Sequence, residues 1–150
     1  MNIITRNKTK ADCGIVAAYN ASSWCNMGIS YDDIVPVAEV VGYDKEKGIT
    51  PRDFDELVRA LDMPARMLQK TNPFEIQKIV RTGQAVIVLY VEKGKKFGHA
   101  ITIFPQRDHI KIINGDKNKW TTWNDFAAEI HAGIISLNAW VLPFRERQIA

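Results

Sequence analysis

The apolar residues of this chain change period once, near residue 84, and that change limits the fold more than any other feature of the sequence. Before it, apolar side chains recur at i, i+3, i+4 and i+7, the spacing of one helix face. After it come short β-branched runs of strand length. The chain therefore predicts an α+β fold, a helical N-terminal lobe packed on an antiparallel C-terminal sheet. Its 150 residues suit one domain over 1–150, and at 46 % apolar they suffice for one core.

The helical half is punctuated by caps. Asp12 suits the N-cap of a helix from Cys13 to about Trp24. Ser30, with Asp33 three residues on, starts a second helix whose apolar face is Ile34, Val37, Ala38 and Val41. Thr50-Pro51 and Asn72-Pro73 start two more, with stripes Phe54, Leu57, Val58, Leu61 and Ile76, Ile79, Val80. In the second half, Ala85–Val91 reads as a strand covered on both faces. Strands over His99–Phe104 and Ile110–Ile113 follow, joined by the turn Pro105–Asp108. Thr122 and Asp125 predict a short helix carrying Phe126 and Ile130, and Ala139–Phe144 a last strand.

Composition removes several classes of function. The net charge is +3 with both signs mixed along the chain, so nucleic acid is not an expected partner. The N-terminus lacks the apolar core of a secretory signal, and no apolar run is long enough for a bilayer. The expectation is a cytoplasmic protein with no membrane partner. Cys13 and Cys25 fall near opposite ends of one helix. At about 1.5 Å per residue they stand roughly 18 Å apart, which excludes a disulfide between them. Cys25 reads as packing or a free thiol, and the four tryptophans as core or cleft wall. His109 and His131 have no partner at metal spacing, so no metal or other cofactor is expected. Lys93–Lys96 reads as a solvated hairpin tip that flanks His99.

Three residues in order suggest chemistry. Cys13 opens a helix, where unpaired N–H groups and the helix dipole favour thiolate and lower the pKa. Gly14 after it would let a substrate backbone approach. His99 follows Gly98 at the start of a strand, a place from which it can face a cleft. Asn114 ends the next strand and, across a hairpin, falls beside His99, able to orient its ring. Asp116 has the same parity and is the rival for that role. Each residue also has a plainer reading: a buried cysteine, a surface histidine near a turn, a polar loop after a strand.

The segments Asp12-Cys13-Gly14-Ile15-Val16-Ala17, Gly98-His99-Ala100-Ile101-Thr102-Ile103 and Ile112-Ile113-Asn114-Gly115-Asp116 resemble the papain-like superfamily. The likeness is greatest to its bacteriocin-leader, or double-glycine, peptidase branch. Gly48-Ile49-Thr50-Pro51 and Thr122-Trp123-Asn124-Asp125-Phe126 share it, so it covers nearly the whole chain. It implies a cysteine peptidase with a Cys-His-Asn/Asp triad acting on a peptide or protein substrate. One departure concerns the oxyanion donor. The family carries Gln six residues before the nucleophile, and here that position is Asn7, the same amide on a shorter stem. The backbone N–H of Cys13 would be the second donor. Alternatives on the same scaffold are a cell-wall amidase, a deamidase or acyl transferase, and a catalytically weak domain that binds peptide or protein.

Overall fold

The structure, a computed structural model, describes residues 1–68, 70–107, 109–115 and 122–145, with the backbone alone for 132–135. Among the described residues, five helices and five strands run in the order α1 (Cys13–Trp24), α2 (Tyr31–Val41), α3 (Pro51–Ala60), β1 (Arg66–Leu68), α4 (Pro73–Arg81), β2 (Val86–Glu92), β3 (His99–Pro105), β4 (Ile110–Ile113), α5 (Trp123–Gly133) and β5 (Ile134–Val141). The strands form one antiparallel sheet in the order β1-β5-β2-β3-β4.

Four helix starts follow their cap residues, one of them α5, where Thr122 accepts from Asp125 N–H at 3.3 Å. Ser30 accepts from Asp33 N–H and the Asp33 carboxylate returns the bond, a capping box. Thr50 and Asn72 accept from Asp53 and Glu75 N–H, each with proline at the first helical position. Such a cap contributes about 1 kcal/mol. Asp12 departs from this pattern. It stands at the N-cap of α1 but makes no side-chain cap bond, its backbone being at φ −94°, ψ 16° rather than extended.

β2 occupies the middle of the sheet and is buried on both faces. Its alternation divides the core. Ile87, Leu89 and Val91 face a cluster built with α1, α2 and α3, while Val86, Val88 and Tyr90 face a second cluster with α4 and α5. The helical lobe thus packs on one face, and α4 crosses to the other because Ile76 and Val80 belong to the second cluster. Trp140 closes the first cluster edge-on to Phe54, its indole N–H donating to Asp55 at 3.0 Å.

One expected strand has other bounds, and one strand is not expected from the sequence. The last strand is Ile134–Val141 rather than Ala139–Phe144. Pro143 has no N–H for a ladder and ends the pairing, with Leu142 N–H making one last bond to Ala85 C=O. β1, three residues paired to the far edge of β5, is too short to show a period in the sequence.

Candidate active site

The first turn of α1 is pressed against the start of β3 by contacts that only small residues allow. A Cβ on Gly14 would meet Ile49 Cγ2 at 2.7 Å, and one on Gly98 would meet Tyr90 C=O at 2.8 Å. Gly98 N–H donates to Ile49 C=O at 3.3 Å, so Ile49 touches both glycines. Gly14 therefore serves helix packing, not the approach of a substrate backbone. The result is a fixed place for the sulfur. Cys13 Sγ accepts from Ala100 N–H at 3.5 Å and lies 3.9 Å from Gly98 C=O, the two residues that flank His99.

The thiol does not sit in the environment its sequence position suggests. Cys13 is 8 % exposed, and burial pushes its pKa above the ordinary thiol value. The Ala100 N–H opposes that effect, and the neighbouring Asp12 carboxylate adds to it. Desolvation outweighs the helix-start field expected to lower it. Burial therefore favours the thiol over the thiolate here.

His99 opens β3 opposite Tyr90 of β2, and the two rings meet edge-on at 5.4 Å. Its Nε2 is 2.9 Å from Oδ1 of Asn114, one residue past the end of β4. An amide oxygen only accepts, so Nε2 is the donor in this contact. Asn114 is buried. Its rival Asp116 lies outside the described residues, as does Trp120.

Asn7 arrives from the N-terminal segment. Asn20, buried in α1, accepts from Ile4 N–H at 2.7 Å and donates to Ile4 C=O at 2.9 Å. The fully buried Asp12 carboxylate accepts from Lys8 N–H at 3.0 Å and from the Tyr31 hydroxyl at 2.7 Å. It ties down this segment instead of capping α1. Asn7 N–H donates to Gly115 C=O at 3.1 Å. The Asn7 side chain lies so close to the Gly115 Cα that any Cβ there would overlap its Oδ1. Asn20 and Tyr31 carry no functional signal in the sequence, and Ile49 enters it only within Gly48-Ile49-Thr50-Pro51. The one local hint is structural: Asn20 is a polar side chain in a helix that is buried almost all round.

Asn7, Cys13, His99 and Gly115 line one open cleft of about 320 Å³, together with Arg6 and Lys10. His99 is also a wall of a second cleft, about 680 Å³, whose other sides are the β2–β3 turn and Lys47. A third, of about 700 Å³, lies between the N-terminal segment and the α1–α2 connection and contains none of these four residues.

Two solved structures share this architecture. The peptidase domain of Streptococcus ComA, a bi-functional ABC transporter involved in a quorum sensing pathway, superposes with a TM-score of 0.66 at 15 % identity, over 95 % of this chain and 99 % of that one. A C39-like peptidase from Bacillus anthracis gives 0.60 at 10 % identity, over 97 % and 96 %. No family model matches the chain, and no curated protein matches it by sequence. The chain shares the fold of these two peptidase domains.

Proposed function

We propose that this chain is a cysteine peptidase in which Cys13 is the nucleophile, His99 the base and Asn114 the residue that orients the imidazole. The observation that carries the reading is the 2.9 Å contact between His99 Nε2 and Asn114 Oδ1, made beside a sulfur held between the backbone neighbours of His99. That contact gives the ring one tautomer, with Nδ1 ready to accept a proton.

Burial raises the Cys13 pKa, so in this reading proton transfer belongs to the attack step rather than to the resting state. His99 Nδ1 takes the thiol proton as Sγ bonds to the acyl carbon. The carbonyl electron pair moves to oxygen. Cys13 N–H, in a helical first turn without an intrahelical acceptor, and the Asn7 amide hold that oxyanion. On collapse the C–N bond breaks, and the imidazolium gives its proton to the departing amine. Water, deprotonated by His99, then hydrolyses the thioester and returns Cys13 to the thiol. The substrate is a peptide or protein.

A second reading is a peptide-binding domain with little turnover, favoured by the burial that raises Cys13. One experiment separates the two. The protein is incubated with a mixed peptide library, and new termini are read by mass spectrometry. Cleavage lost in both Cys13→Ala and His99→Ala establishes the peptidase. Peptide capture without new termini establishes the binder.

A further inference from the structure

We propose that the 680 Å³ cleft beside His99 receives an acidic side chain, so that the substrate carries Asp or Glu close to the scissile bond. This rests on the peptidase reading above and adds the chemical class of its substrate.

The cleft and the catalytic one share His99 as a wall. Among the residues lining the two, five are cationic (Arg6, Lys10, Lys47, Lys95 and Lys96) and one is a carboxylate, Glu92. The whole chain has 20 Lys and Arg against 17 Asp and Glu, so the excess is local. Two of the cations are partly neutralised: Lys95 pairs with Glu92 at 3.2 Å, and Lys10 pairs with Glu46 at 3.3 Å. Lys47 and Lys96 have no ion pair among the described residues. Both stand at the cleft beyond His99, Lys47 with its Nζ 6.0 Å from the centre of the Phe97 ring.

Two aromatic rings among lysines suit a side chain with a methylene stem and a carboxylate end. Tyr90 and Phe97 line the cleft, and the Gly98 N–H is already committed to Ile49 C=O. Selection therefore falls to the lysine side chains. A polyanion such as single-stranded nucleic acid is the lesser fit, because the cations converge on an acyl-transfer site instead of forming a stripe across the chain.

The test is the cleavage profile of a mixed peptide library for the wild type and for the double variant Lys47→Glu, Lys96→Glu. Both lysines are exposed, and neither belongs to the catalytic set. Enrichment of Asp or Glu within about three residues of the cut, reduced about tenfold by the double variant, supports the proposal. Cleavage without acidic enrichment, or with enrichment that the variant leaves intact, overturns it.

A binding arm keeps this separate from the peptidase reading. Fluorescein-labelled Glu-rich and Lys-rich peptides are titrated against Cys13→Ala at 50 and 300 mM salt, with labelled single-stranded DNA as a third ligand. Preference for the acidic peptide, lost in a triple variant that adds both lysine changes, supports an acid-binding cleft even where no cleavage is seen. Equal binding of both peptides, or tighter binding of DNA, overturns it.

Discussion

Cys13 and Asn7 line the same cleft, yet the chain holds them by different means. Cys13 stands on the first turn of a helix whose neighbours are packed to contact distance, with Ile49 against both Gly14 and Gly98. Asn7 lies on a segment without regular secondary structure, tied by hydrogen bonds at Ile4, Asn7 and Lys8. Packing resists displacement in every direction, because any shift overlaps atoms or opens a void. A few hydrogen bonds fix a position less stiffly, since each exchanges readily with water. The proposed nucleophile is thus the fixed point of the site, and the proposed oxyanion donor is its adjustable part.

The largest effect expected is on the fixed side. Cys13→Ala removes the proposed nucleophile, and turnover should fall by about 10⁴-fold or more, to background. Iodoacetamide labelling gives a finer reading. With its pKa raised by burial, Cys13 should label more slowly at pH 8 than a small free thiol, with a rate that climbs through the alkaline range. Cys25, pushed to about 11 by burial, should be slow as well. The same shift has a consequence for stability. A thiol whose folded pKa is raised favours the folded state at neutral pH, and loses that advantage as pH rises through the raised value. Rapid labelling of Cys13 near neutrality would show a resting thiolate and contradict the neutral-thiol state.

Asn7→Ala probes the adjustable side and comes next. Loss of one oxyanion donor typically costs about 10²-fold in kcat, with KM nearly unchanged. The backbone bond from Asn7 to Gly115 does not need the side chain, so stability in urea should hold. Asn7→Gln should fail to raise kcat, because the longer amide meets Gly115, already in contact with the native side chain. An Asn7→Ala variant with full kcat would remove Asn7 from the chemistry and leave Cys13 N–H as the donor.

Gly14→Ala sharpens the comparison from the packing side. Its Cβ would meet Ile49 Cγ2 at 2.7 Å, and overpacking of this kind costs about 1–3 kcal/mol. Urea unfolding should show that loss, and pairing the change with Ile49→Val should recover part of it. No such coupling is expected between Gly14→Ala and Asn7→Ala.

The same division separates what was legible in the sequence from what was not. Helices α2, α3 and α4 start at Ser30, Thr50 and Asn72 because a cap acts within three residues, and such signals survive in one dimension. Cys13, His99 and Asn114 could be named because each sits at the end of a regular element. The N-terminal segment could not be read this way. Its ties join Ile4 to Asn20 and, through Asp12, Lys8 to Tyr31, and bonding partners 16 or 19 residues apart have no period to reveal them. Asp12 shows the hazard directly, since its position suggests a cap while its carboxylate serves the strap. The pKa of Cys13 was misjudged for a related reason. Burial depends on what packs around the sulfur, and the helix start alone does not contain that.

The smallest effect expected comes from Tyr31→Phe, and it bears most directly on how the adjustable side is held. The Tyr31 hydroxyl donates at 2.7 Å to a carboxylate that is fully buried. Without it, Asp12 Oδ2 keeps only the bond from Lys8 N–H. A buried acceptor that loses one of two donors should cost about 1–2 kcal/mol, visible in urea unfolding. Because Lys8 follows Asn7 directly, some of the loss should appear in turnover, as a few-fold fall in kcat without a change in KM. Asn7→Ala removes the group that Tyr31 helps to place, so the kcat effect of Tyr31→Phe should vanish in the double variant while its stability cost remains. Additive kcat losses would mean that Tyr31 acts on Cys13 through Asp12 instead, and the two sides of the cleft would then be one mechanical unit.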